Sequence, residues 1–165
     1  MDTDTMRTNP SMHALLFLFT LSASFAAGPA HAQQIERGRY MVVTGHCNNC
    51  HTAGYAQKEG NVPEADWLLG SGPQGWRGPW GTTYASNLRI NANAMTEDGW
   101  VNYMKTFKAR PPMPWWSVHA TSEQDLRAMY QYIKQLGPAG KPALPYLPPD
   151  QEPKPPFILY PMPAK

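Results

Sequence analysis

Apolar positions recur with helical spacing in three stretches of the chain. After Thr96, the residues Trp100, Val101, Met104 and Phe107 fall at i, i+1, i+4 and i+7, one face of a helix. Thr96 is placed to cap it, Glu97 and Asp98 meet the positive end of its peptide dipoles, and Pro111-Pro112 stops it. The clearest pattern is Leu126, Met129, Tyr130, Ile133 and Leu136. Thr121 with Gln124 predicts a capping box ahead of it, and Gly137-Pro138 ends it. A third helix, predicted over 35–44, leads directly into the two cysteines of the chain. The first and last helices are expected to cross, Gly38 and Tyr40 meeting Met129 and Tyr130.

The rest of the chain is patterned differently. Residues 14–27 form an uncharged apolar run, shorter than the ~20 residues that span a bilayer. The small-x-small sequence Ala30-His31-Ala32 follows, so residues 1–32 read as a signal peptide cleaved between Ala32 and Gln33. Asp2 and Asp4 ahead of Arg7 are unusual in such a leader, and an uncleaved anchor is the competing reading. Export would bring the protein to a compartment where thiols tend to be oxidised. No later stretch approaches membrane-spanning length. Between the first two helices lies a long segment rich in Gly, Pro and Trp, a length that compact domains keep for function. Residues 138–165 carry ten prolines and should be extended. Leu144, Tyr146, Leu147, Phe157, Ile158, Leu159 and Tyr160 are too apolar for a solvated tail, so this segment is expected to be ordered, on its own domain sooner than on a partner. The expected division is 1–32, 33–137 and 138–165.

Composition narrows the class. A net charge of +2 over 165 residues lacks the basic stripe of a nucleic-acid binder. Eighteen prolines and thirteen glycines favour loops, and two cysteines are too few for a disulfide framework. Six tryptophans and eight tyrosines suit a fold built around a large flat object.

Cys47-Asn48-Asn49-Cys50-His51 is the strongest chemical signal, a C-x-x-C-H haem-attachment pattern. Two thiols on one incipient helical turn can reach the two vinyl groups along a porphyrin edge, and the next residue sets an imidazole beneath the ring centre. Three other readings use the same residues. A thioredoxin-type pair would need a βαβ context, which is absent. A zinc site would need two more ligands with paired spacing, and a disulfide between these cysteines would close a strained ring.

With these residues in place, the chain resembles a small monohaem c-type cytochrome of class I. Cys47, Cys50 and His51 match its attachment motif, Met113 stands where its loop methionine does, and 121–136 resembles its C-terminal helix. The stretch beginning Arg37-Gly-Arg-Tyr-Met-Val-Val, the Met113-Pro114 pair and the segment 122–130 resemble single modules of the cytochrome subunits of periplasmic dehydrogenases. The resemblance implies a mainly α fold of class I cytochrome c type with long loops and a proline-rich C-terminal extension. It also implies one covalently bound haem c with its iron.

Met113 lies in Arg110-Pro-Pro-Met-Pro-Trp-Trp, where prolines fix φ and stiffen the mount of a thioether. Met41, Met104 and Met129 lie on helix faces, where core filling is the usual role. His119 is the main rival as sixth ligand, and His46 is expected to point away from the iron. Haem propionates need donors, and residues 77–87 offer Arg77, Trp80, Thr82 and Asn87 together. His51 should donate its Nδ1–H to a carbonyl, which in class I cytochromes belongs to a proline about a dozen residues on, here Pro63.

The function expected is one-electron transfer in the periplasm by a carrier that is not itself an enzyme, with His51 and Met113 as axial ligands and no free iron position. Partners would be redox proteins: a donor dehydrogenase, and an acceptor oxidase or another cytochrome. Two alternatives stand beside it. One is a haem enzyme or gas-binding protein with an open sixth position; the other is an electron-transfer subunit of a dehydrogenase complex.

Overall fold

The computed structural model describes residues 28–162. Among these residues six helices dominate: α1 (Gly28–Thr44), α2 (Cys47–His51), α3 (Leu88–Asn93), α4 (Glu97–Thr106), α5 (Trp115–Ala120) and α6 (Glu123–Leu136). Three short strands among the described residues, β1 (Gly75–Gly78), β2 (Gly81–Thr83) and β3 (Phe157–Leu159), form one small sheet, and a 3-10 turn covers Glu64–Asp66. The apolar run at 14–27 lies outside the described residues. α1 starts earlier than the pattern predicted and runs unbroken through the Ala32–Gln33 bond. Among the described residues, no helix is long and apolar enough to cross a membrane.

The core forms where α1 and α4 pack on α6, with Val42, Trp100, Leu126 and Ile133 fully buried. α1 and α6 do cross, and Gly38 marks the point: a Cβ there would fall 2.0 Å from the Ala128 carbonyl oxygen and 2.8 Å from Tyr132 Cβ. The partners therefore differ from those expected. Ala128 and Tyr132 meet Gly38, while Tyr40 points outward and is 55% exposed. Arg37 Nε reaches Asp125 Oδ1 across the same crossing at 2.7 Å. Trp100 Nε1 donates to the Leu126 carbonyl at 3.1 Å, tying α4 to α6.

Thr96 caps α4 as expected, its hydroxyl accepting from Gly99 N at 3.1 Å. The cap of α6 sits one residue later than predicted. Ser122 Oγ accepts from Asp125 N at 3.1 Å, because extended backbone at Ser122 leaves Thr121 outside the helix. Buried Arg89 closes the far end of α6, donating to the Gly137 and Leu136 carbonyls. A guanidinium suits the negative end of the helix dipole.

The long Gly-Pro-Trp segment is organised by the β1–β2 hairpin, in register Trp76↔Thr83 and Arg77↔Thr82. The proline-rich tail packs on its own domain. β3 pairs parallel to β1, Leu147 exchanges both backbone hydrogen bonds with Thr82 at 2.7 and 3.0 Å, and Tyr160 N donates to the Arg77 carbonyl at 2.7 Å.

Candidate functional site

α1 stops because Gly45 and His46 turn the chain. Gly45 N still bonds the Met41 carbonyl at 2.8 Å, and His46 adopts a left-handed conformation (φ 57°) from which α2 starts in a new direction. α2 sets Cys47, Cys50 and His51 on one short helical turn. Two tethers fix that turn. Buried Thr52 donates to Asn48 Oδ1 (2.7 Å) and accepts from Leu68 N (2.8 Å), and the His51 carbonyl accepts from Gly70 N at 2.8 Å.

Two adjoining cavities of about 570 and 320 Å³ open beside the motif, a size typical of cofactor pockets. Cys50, His51, Ser86, Tyr103, Phe107 and Met113 line both. The smaller is apolar, walled by Met41, Leu88, Trp100, Met104 and Met129, with Cys47 at its base. The larger carries Trp76, Thr83 and Tyr84 on one wall and Lys108 and Arg110 on the other. Neither lining includes a carboxylate among the described residues. A space that is apolar at one end and basic and hydroxyl-bearing at the other matches a flat ring that carries carboxylates on one edge.

The donor chemistry matches as well. His51 is buried, and its Nδ1 lies 2.7 Å from the Ser86 carbonyl oxygen. A carbonyl only accepts, so Nδ1 carries the hydrogen and Nε2 keeps the lone pair needed to ligate a metal. Burial lowers the pKa of His51 against the opposing pull of that hydrogen bond, favouring the neutral imidazole. Cys47 and Cys50 are unpaired thiols, and burial pushes the Cys47 thiol up to about 11. Thr83 Oγ1 is buried at the larger cavity without a hydrogen-bond partner. Such an orphaned hydroxyl is rare in proteins, and a porphyrin carboxylate would satisfy it. The residues present therefore fit a covalently held haem.

Several expected contacts are corrected. The carbonyl on His51 belongs to Ser86, brought alongside by the turn into α3, whereas Pro63 is exposed ahead of the 3-10 turn. Arg77 faces away from the cavities. Its guanidinium is buried against the tail, donating to the carbonyls of Gln151 and Pro149 at 2.7 Å each and to Glu152 Oε1 at 3.2 Å. Thr82 is fully buried on that same face. Trp80 packs edge-on against Tyr160, with ring centroids 5.2 Å apart. Asn87 caps α3 through Ile90 N (3.0 Å) and donates to the Ala139 carbonyl (2.8 Å). None of these four lines a cavity. Strand alternation explains the displacement: Trp76 and Thr83 form the cross-strand pair on the cavity side, and Arg77 and Thr82 the pair behind it.

His119 lies outside both linings, its Nε2 2.8 Å from the Phe107 carbonyl. His46 is exposed at the rim of the smaller cavity. Met113 is half-buried between α4 and α5, with its amide bonded to the Arg110 carbonyl at 3.3 Å.

A helical fold that sets C-x-x-C-H at the foot of such a cavity defines a haem-bearing protein of the c type. The family model described as cytochrome c matches residues 35–137, and the chain belongs to that family. Its fold is accordingly that of a class I cytochrome c, and its cofactor a covalently bound haem c. The chain is also similar to the cytochrome c subunits of quinone alcohol dehydrogenases of Gluconacetobacter polyoxogenes and Komagataeibacter europaeus. It is 28% identical to each over 128 residues, covering 69% of this chain and 27% of the relative. It thus spans about a quarter of the length of these curated relatives. No solved structure matches it significantly.

Proposed function

We propose that the protein carries single electrons between periplasmic redox proteins on a haem c ligated by His51 and Met113. The observation that carries this reading is that both side chains line the same two cavities, with the His51 ring already turned by the Ser86 carbonyl. Cys47 and Cys50 would hold the ring by its edge. The haem supplies the one-electron couple, and the chain supplies rigidity. A ligand set fixed before and after electron arrival reorganises little, and a thioether stabilises ferrous over ferric iron, raising the potential. The 2.8 Å contact of His119 Nε2 with the Phe107 carbonyl favours Met113 over His119 as that ligand.

The ferric protein should show the near-infrared sulfur-to-iron charge-transfer band. Met113→Ala should abolish it, lower the potential and let carbon monoxide bind the ferrous form. An unchanged spectrum in Met113→Ala, with a changed one in His119→Ala, would move the ligand to His119 and refute this assignment.

Similarity to the alcohol dehydrogenase subunits favours a dehydrogenase as electron donor. Residues 1–32 would serve as the export leader and 33–137 as the haem domain. Reduction of the holoprotein by a purified quinone-dependent alcohol dehydrogenase would support that donor; a rate no faster than with an unrelated dehydrogenase would exclude it.

A further inference from the structure

The tail touches neither cavity, yet one of its side chains bridges two elements that wall the larger one. The Tyr146 hydroxyl donates to the Trp80 carbonyl at 2.7 Å, in the turn of the β1–β2 hairpin that carries Trp76 and Thr83. Its ring lies 3.8 Å from the Arg110 guanidinium carbon, on the opposite wall. The Arg110 backbone carbonyl in turn accepts from the Met113 amide at 3.3 Å. The seating is tight: a Cβ on Gly81 would come within 2.3 Å of the Leu147 carbonyl oxygen and 2.9 Å of the Tyr146 hydroxyl. The residues between α4 and Met113 have no regular structure, and Arg110 is exposed but for this contact.

From this we infer that Tyr146 is a positioning residue for the Met113 loop, a strut between the hairpin turn and Arg110 that limits how far Met113 can swing from His51. The inference rests on the His51/Met113 ligation proposed above. Its consequence is kinetic. An exogenous ligand can bind ferric iron only when the thioether leaves, with no change of oxidation state, so the rate of that exchange reports how often the loop swings out.

Cyanide binding to the ferric holoprotein, followed by loss of the charge-transfer band, is the measurement. Tyr146→Ala removes a close cation–π contact and a hydrogen bond and should speed binding about tenfold. Tyr146→Phe and Arg110→Gln each remove one of the two and should speed it about threefold. These two carry the test if Tyr146→Ala does not fold. Tyr160→Leu, which removes the edge contact on the Trp80 ring and keeps the Tyr146 hydrogen bond to the Trp80 carbonyl, should lower thermal stability and leave the rate within about twofold. Equal acceleration in Tyr160→Leu would mean general loosening and would overturn the strut, as would wild-type rates in the Tyr146 and Arg110 variants. A wild-type ferric protein without the band would refute Met113 ligation itself, and the strut with it. A band present and indifferent to Tyr146 would refute the strut alone.

Discussion

Gly38→Ala tests the helix crossing on which the rest of the domain is built. The added Cβ would sit 2.0 Å from the Ala128 carbonyl oxygen and 2.6 Å from its carbon, against the ~3.5 Å or more of a relaxed contact. Both atoms are α6 backbone, so no rotamer can relieve the overlap. α1 and α6 must separate by about 1 Å or more, loosening the packing of Val42 and Ile133. Overpacking of this kind costs ~3 kcal/mol at the upper end of its usual range. Replacing glycine inside a helix returns ~1 kcal/mol of propensity. The net loss is ~2 kcal/mol, or a fall in Tm of ~6 °C at ~3 °C per kcal/mol for a domain of this size. Thermal unfolding followed by circular dichroism on the holoprotein measures it. A Tm equal to or above that of the wild type would show that the helices do not meet at Gly38, and would remove the argument that fixes α1 against α6.

Two further outcomes follow from the same geometry. Arg37, and secondarily Ser122, hold the Asp125 carboxyl below its usual pKa, so its contribution is present above the unfolded value of ~3.9 and disappears as pH falls through the folded one. Since Arg37 is half exposed, Asp125→Asn should cost less than ~1 kcal/mol at neutral pH, a difference that shrinks with salt and closes in acid; urea titrations at pH 7 and pH 3 showing equal differences would contradict it. Thr83→Val removes the hydroxyl that faces the larger cavity and should raise the pH at which the reduction potential becomes pH-dependent, while Thr82→Val, behind the hairpin, should not. Identical potential–pH curves for all three proteins would place the haem carboxylates elsewhere.

How much of this was readable from sequence depended on periodicity. α4 and α6 announce themselves because their apolar residues repeat at helical spacing, and C-x-x-C-H is local chemistry that no tertiary context needs to complete. The hairpin wall has neither advantage. Gly75-Trp-Arg-Gly-Pro-Trp-Gly-Thr-Thr shows no alternation, so nothing in it tells Trp76 and Thr83 from Arg77 and Thr82, and a one-residue error turns every side chain to the other face. Arg77 looked like a propionate donor because arginine often is one; its real partners are backbone carbonyls of the tail, which composition cannot reveal. Asn87 was readable in part, since Asn ahead of Leu-Arg-Ile is a good helix cap. The choice of Ser86 over Pro63 for His51 follows from how the 52–86 loop returns to the motif, a property of the whole chain.

The tail also decides what the edge of the sheet presents to solvent. β3 covers the free side of β1 but becomes the new sheet edge, presenting Ile158 and Leu159 to solvent at 45% and 64% exposure. A bare apolar edge of that sort invites strands from other chains to add on. Here the strand has only three residues, with Pro155-Pro156 before it and Pro161 just after, residues that offer no N–H to an incoming neighbour. The prolines that lend the tail its odd composition thus flank that edge and limit the backbone N–H groups it can offer a further strand.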